Sequence, residues 1–142
     1  VLAMRADVAA AKPPQGRFDV KLAPGGLVDL EFLVHHAQLA HQTGLHPELP
    51  VALRALVAAG LLPPALIGAH DLLTRTLVWL RLLFPGGRVP DPLPDAVLML
   101  LGQRLATAPG AANLTGFADA LAMAREAVRM AWAGFARPSA HT

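Results

Sequence analysis

The sequence predicts an all-α fold, an up-and-down four-helix-bundle-like domain with a short extended segment near its N-terminus. Three observations lead there. Apolar residues make up 54% of the 142 positions and aromatics only 5%. Leu and Ala, both strong helix formers, dominate the apolar set, whereas the β-branched and aromatic residues that strands favour are sparse. Apolar positions also recur at spacings of three and four, and the stretches that carry this period are cut by Gly and Pro clusters. A chain of this length buries about 70% of its unfolded surface in one domain. The expected organisation is therefore a single helical domain over residues 1–142: a connecting segment with a Gly-Gly turn (1–26), a bundle (27–136) and a tail (137–142).

Each element follows from local chemistry. Residues 1–12 read as the tail of a helix that starts upstream, and residues 12–16 (Lys-Pro-Pro-Gln-Gly) as a loop, because a residue before Pro avoids the helical region. Residues 18–22 alternate apolar and polar side chains, the pattern of a short extended segment. Pro24-Gly25-Gly26 is a turn that releases a helix over 27–42, which His46 to Pro50 stops. A short helix over 51–59 ends at Gly60, the residue expected just past a helix C-terminus. Pro63-Pro64 opens a long helix to 84, with Pro in the first turn where a missing N–H costs nothing. Pro85-Gly86-Gly87 closes it. Helices over 95–106 and 115–135 complete the set. In the last, Phe117, Leu121, Ala124, Val128, Trp132 and Phe135 share one face, and Trp79 and Trp132 fall on apolar faces as core anchors.

Composition excludes several classes. The formal charge is +2, with no run of Lys and Arg on one face, so nucleic acid is not an expected partner. No cysteine is present, which removes disulfides and thiolate metal sites. The most apolar stretch, 72–84, carries Arg75 and Arg81 and falls short of the roughly 20 uncharged residues of a membrane span. The expectation is a cytoplasmic domain away from membranes. His35, His36, His41 and His46 cluster in sequence, but His35 and His36 diverge on a helix and His36 to His41 is a spacing of five, so no zinc site is predicted. Asp71 and Arg75, four apart, read as a helix-surface pair. Arg125, Glu126 and Arg129 read as a solvated face. No nucleophile–base or metal constellation stands out, so no catalytic residue is assigned.

The informative stretch is 17–34. Gly25-Gly26 permits left-handed backbone and close approach to whatever lies opposite. The helix that follows is expected to present unpaired N–H groups and a positive dipole end. Asp29 and Glu31 stand in its first turns, where acids complement the dipole and Asp29 caps N–H groups. On a helix the two are turned roughly 200° apart, so they do not share a metal ion.

The run Phe18-Asp19-x-Lys21-x-x-x-Gly25-Gly26-Leu27-x-Asp29-Leu30-Glu31-Phe32-Leu33-Val34 resembles the segment that follows the nucleotidyltransferase core in bacterial glutamine synthetase adenylyltransferases. Met4-Arg5, His46-Pro47, Ala52-Leu53 through Leu56 and Ala59-Gly60-Leu61 fit the same resemblance, which spans residues 4–135. It implies a parent enzyme that moves AMP from ATP onto glutamine synthetase, or removes it, with ATP and magnesium bound in a core whose Gly-Ser turn and paired aspartates do not occur here. This chain is then the helical accessory domain. It is expected to bind no cofactor itself and to show no transfer activity alone. The implied partners are an upstream nucleotidyltransferase core, glutamine synthetase and a PII-type signalling protein. The alternative is a noncatalytic helical protein-interaction module.

The resemblance also singles out nucleotide-facing or core-docking residues: Lys21, Asp19, Gly25, Gly26, Asp29 and Glu31. Lys21 either approaches the phosphates or binds the core's carboxylates, against the alternative of a solvated Lys. Asp19 orients Lys21 or Arg17. Gly25 and Gly26 shape the backbone, and Asp29 and Glu31 reach Arg5 or Arg17. The chain departs from the family's pattern at Thr76-Leu77-Val78-Trp79, where a polar stretch is expected, and at His35-His36, where a Gln often follows. These departures imply a diverged or regulatory relative.

Overall fold

The computed structural model describes residues 18–105 and 116–136. These form five helices and, among the described residues, no strand: α1 Leu27–His41, α2 Leu49–Ala58, α3 Ala65–Leu83, α4 Asp95–Leu105 and α5 Gly116–Ala136. The predicted helix over 1–12 and the loop at 12–16 lie outside the described residues. The all-α expectation holds. The helix starting at Leu49 begins two residues earlier than the periodicity suggested, because Pro50 sits in its first turn, where proline is tolerated. At its other end Gly60 adopts φ +75° just past the C-cap Ala59, as its composition predicted.

Helices α3 and α5 form the most extensive pair, and α1 and α4 each pack against both. The short α2 leans on α1 and α3. The arrangement is thus four-helix-bundle-like with one added short helix, as the loop lengths imply. A shared core joins all five: Leu30 and Leu33 from α1, Leu53 and Leu56 from α2, Leu66 and Leu73 from α3, Leu101 and Leu105 from α4, and Phe117 and Val128 from α5 are sealed from solvent. Each buried Leu contributes roughly 2 kcal/mol through the area it removes from water. The predicted α5 face is the buried one for Phe117, Leu121, Ala124 and Val128. Trp132 and Trp79 pack partly buried at the core's margin, and the side chain of Phe135 lies outside the described part. Asp71 and Arg75 form the expected exposed pair at 3.7 Å, worth a few tenths of a kcal/mol. None of the described helices is long and apolar enough to cross a membrane.

Residues 18–22 depart from expectation. They run as consecutive turns, with Val20 N–H donating to Phe18 O (2.9 Å) and Ala23 N–H to Asp19 O (2.9 Å). The alternation is nonetheless real in burial: Phe18 and Val20 point into the core, and Lys21 is exposed. Without a neighbouring strand to pair with, the backbone satisfies its polar groups locally, and a coiled path meets the same in–out pattern.

Candidate functional site

The 18–26 turn wraps the start of α1. Leu27 N–H donates to Val20 O (2.8 Å) and Val28 N–H to Lys21 O (3.0 Å). The helix start therefore does not present the unpaired N–H groups that the sequence suggested, because the preceding turn folds back and supplies carbonyls to them. Asp29, at the third helical position, reaches backward: its Oδ2 accepts from Gly25 N–H at 2.7 Å in a buried setting. This is the logic of a capping box moved one residue upstream. Asp29 is only 7% exposed, whereas Glu31 faces solvent. The two carboxylates diverge as helical geometry requires, and the described residues contain no group of three or more His, Asp and Glu placed to hold a metal.

Helix α5 pins this turn from the other side. Gly25 adopts φ +78°, and a Cβ there would collide with the Arg125 carbonyl oxygen and crowd its Cα. At Gly26 a Cβ would lie 2.5 Å from Val20 O and 2.8 Å from Ala23 O. Both glycines are thus fixed by backbone meeting backbone. Arg125 Nε donates to Pro24 O at 3.4 Å, Trp132 Nε1 donates to Asp29 O at 2.9 Å, and the rings of Phe18 and Phe117 stack at 6.3 Å.

Arg125 is a correction to the sequence reading. It is half-buried rather than solvated. Burial, and then the like charge of Arg129, lower its pKa from the ordinary arginine value, while Asp19 works against both. Arg129 does take part in a surface pair, with Glu126 at 3.1 Å. Only the position of Arg125, one residue past buried Ala124 on the helical wheel, could have placed it at the edge of the core face.

The residues singled out from sequence therefore separate into three groups. Gly25, Gly26 and Asp29 form an internal lock. Asp19 and Lys21 line a cleft of about 270 Å³ between the turn and the C-terminal part of α3, with walls from Leu77, Leu80, Arg81, Phe84 and Val89. Glu31 stands apart on the solvent side. Asp19 Oδ1 also accepts from Leu22 N–H at 3.0 Å, so the acid orders its own turn. Arg5 and Arg17, the expected partners of Asp29 and Glu31, lie outside the described residues. Sequence reasoning missed Arg81 as a cleft residue, because the approach of α3 to the 18–22 turn is a tertiary contact with no local signal.

The GlnD PII-uridylyltransferase family model matches residues 3–135. The chain belongs to this family. It is similar to proteins named bifunctional glutamine synthetase adenylyltransferase/adenylyl-removing enzyme. That of Brucella suis is 32% identical over 69% of this chain, and that of Agrobacterium fabrum 32% over 71%. That of Caulobacter vibrioides is 44% identical over 43%. The matched part is 11%, 11% and 6% of those proteins respectively, so the chain spans about a tenth or less of the curated relatives it matches. No solved structure matches.

Proposed function

We propose that this chain is the helical accessory domain of a glutamine synthetase adenylyltransferase, seated against a nucleotidyltransferase core through the face that carries the 18–26 turn. The observation that carries the reading is the lock itself. Two glycines, a buried Asp and a Trp from a helix more than a hundred residues away hold one surface turn in a single geometry. Such rigidity in a connecting segment positions the side chains it presents, Asp19 and Lys21, for a neighbour. The names of the curated relatives support the substrate and the reaction.

The local chemistry supports a reading in which catalysis lies elsewhere in a longer protein. Asp29 is engaged by Gly25, Glu31 points away, and the helix start has given its first N–H groups to Val20 and Lys21. These engagements support a reading in which the core holds ATP and magnesium. A PII-type signalling protein as regulator, a cytoplasmic location and a single folded unit over 1–142 are parts of the same reading.

The test is a chimaera in which residues 3–135 replace the matching segment of the Brucella suis protein. It is expected to retain adenylyl transfer to glutamine synthetase, while the isolated chain shows none. A folded chimaera inert in both addition and removal of AMP, or transfer by the isolated chain, would overturn the reading.

A further inference from the structure

We infer that the cleft between the 18–22 turn and the end of α3 receives a carboxylate-tipped apolar segment of an adjoining domain, with an Asp or Glu set between Lys21 and Arg81. The inference rests on the docking role proposed above and names the chemistry of what docks.

Charge is the first argument. Lys21 and Arg81 are exposed and line the same cleft. Among the described residues neither forms an ion pair. The acid in the cleft wall, Asp19, is turned to other tasks: one oxygen takes the Leu22 N–H, and its charge acts on Arg125. The cleft therefore offers two cations to an incoming anion. Shape is the second argument. Behind the cations the floor is apolar, made by Leu77, Leu80, Phe84 and Val89, which suits a side chain whose body is greasy and whose neighbour is charged.

The cleft measures about 270 Å³, room for one or two side chains, and its apolar floor favours a protein segment. The backbone N–H groups at the nearby helix start, a common seat for phosphate, already donate to the Val20 and Lys21 carbonyls, so a phosphate would find only the two side-chain cations. A contact of this kind needs little intrinsic affinity, because within one chain the partner is present at an effective concentration of about a millimolar.

The test titrates the isotope-labelled 142-residue chain with acetyl-Leu-Glu-Leu-amide, its Gln counterpart and ATP, following backbone amide shifts. The Glu peptide is expected to move the amides of Lys21, Leu22, Leu77 and Arg81 at a few millimolar, the Gln peptide about tenfold less tightly. The double variant Lys21→Glu/Arg81→Glu, both sites exposed, is expected to keep the remaining spectrum and bind about tenfold more weakly. Raising the salt should weaken the Glu peptide alone. Equal binding of the two peptides, or no shifts in the cleft, overturns the assignment. So does ATP moving the same amides more strongly, which would mark a nucleotide site, or shifts that grow with protein concentration alone, which would mark a second copy. Failure here beside an active chimaera would remove the cleft and leave the domain's role standing. An inert chimaera would remove the role itself.

Discussion

Replacing Gly25 with Ala tests whether the turn is held by close backbone contact or by glycine's backbone freedom alone. Gly25 and Gly60 have almost the same backbone angle, φ +78° and +75°. An L-residue held there costs about 1–2 kcal/mol. Their surroundings differ. A Cβ at Gly60 meets nothing within 4 Å, whereas one at Gly25 runs into the backbone of Arg125. Backbone in the middle of a packed helix cannot rotate aside as a side-chain tip can, so an overpacking cost of about 1–3 kcal/mol adds to the conformational one. Gly60→Ala should therefore lose about 1–2 kcal/mol and Gly25→Ala about 2–5 kcal/mol, a large share of the 5–15 kcal/mol typical of a domain. Urea unfolding reads the difference. With a slope near 2 kcal/mol per molar, the Gly25 variant's midpoint should fall about 1 M further than that of the Gly60 variant. Equal losses at the two sites would refute the close approach and return Gly25 to an ordinary turn glycine.

The remaining expectations touch single side chains. Trp132→Phe keeps a ring at the core's edge but removes the donor to Asp29 O, and should cost about 1 kcal/mol by denaturant unfolding; an unchanged midpoint would mean the 2.9 Å bond contributes nothing net. Thr76 is fully buried with no partner for its hydroxyl among the described residues, so Thr76→Val should raise stability by about 1 kcal/mol, and a loss of similar size would reveal a partner for Oγ1. His70 sits half-buried with Thr74 Oγ1 at 3.4 Å from its Nε2. Burial lowers its pKa below 6.5, opposed by Asp71. The unfolded chain then binds the proton more readily, so His70's share of stability is intact above pH 6.5 and is lost as pH falls through the folded pKa. His70→Gln should flatten the fall in unfolding free energy between about pH 7.5 and 5; an unaltered slope would show that other groups set it.

The fold was legible because it depends on features written locally. Periodic Leu and Ala stretches, proline in first turns and Gly60 past a helix end each act within a few residues, and the structure keeps every predicted helix in the described range. The failure at residues 18–22 has a physical origin. Alternation in sequence specifies which side chains face inward, but whether the backbone is extended depends on what stands beside it to accept its hydrogen bonds. Here that neighbour is the start of α1, and the carbonyls of Val20 and Lys21 turn toward it.

The candidate site was legible only where the chain contacts itself nearby. Asp29 capping its own turn follows from spacing. The contributions of Arg125, Trp132 and Arg81 depend on helices that return to the turn from far along the sequence, and no local pattern announces such a return. This division also explains why the acid with the strongest motif signal is the least available to a ligand. A buried carboxylate that accepts a backbone N–H at 2.7 Å would leave that donor orphaned if it turned to bind anything else, a loss of about 1–3 kcal/mol. The exposed Lys21 incurs no such penalty when it meets a partner. Motif strength in this segment therefore measures how tightly the turn must be built, and the chemistry offered to a neighbour lies with the less distinctive cations along its rim.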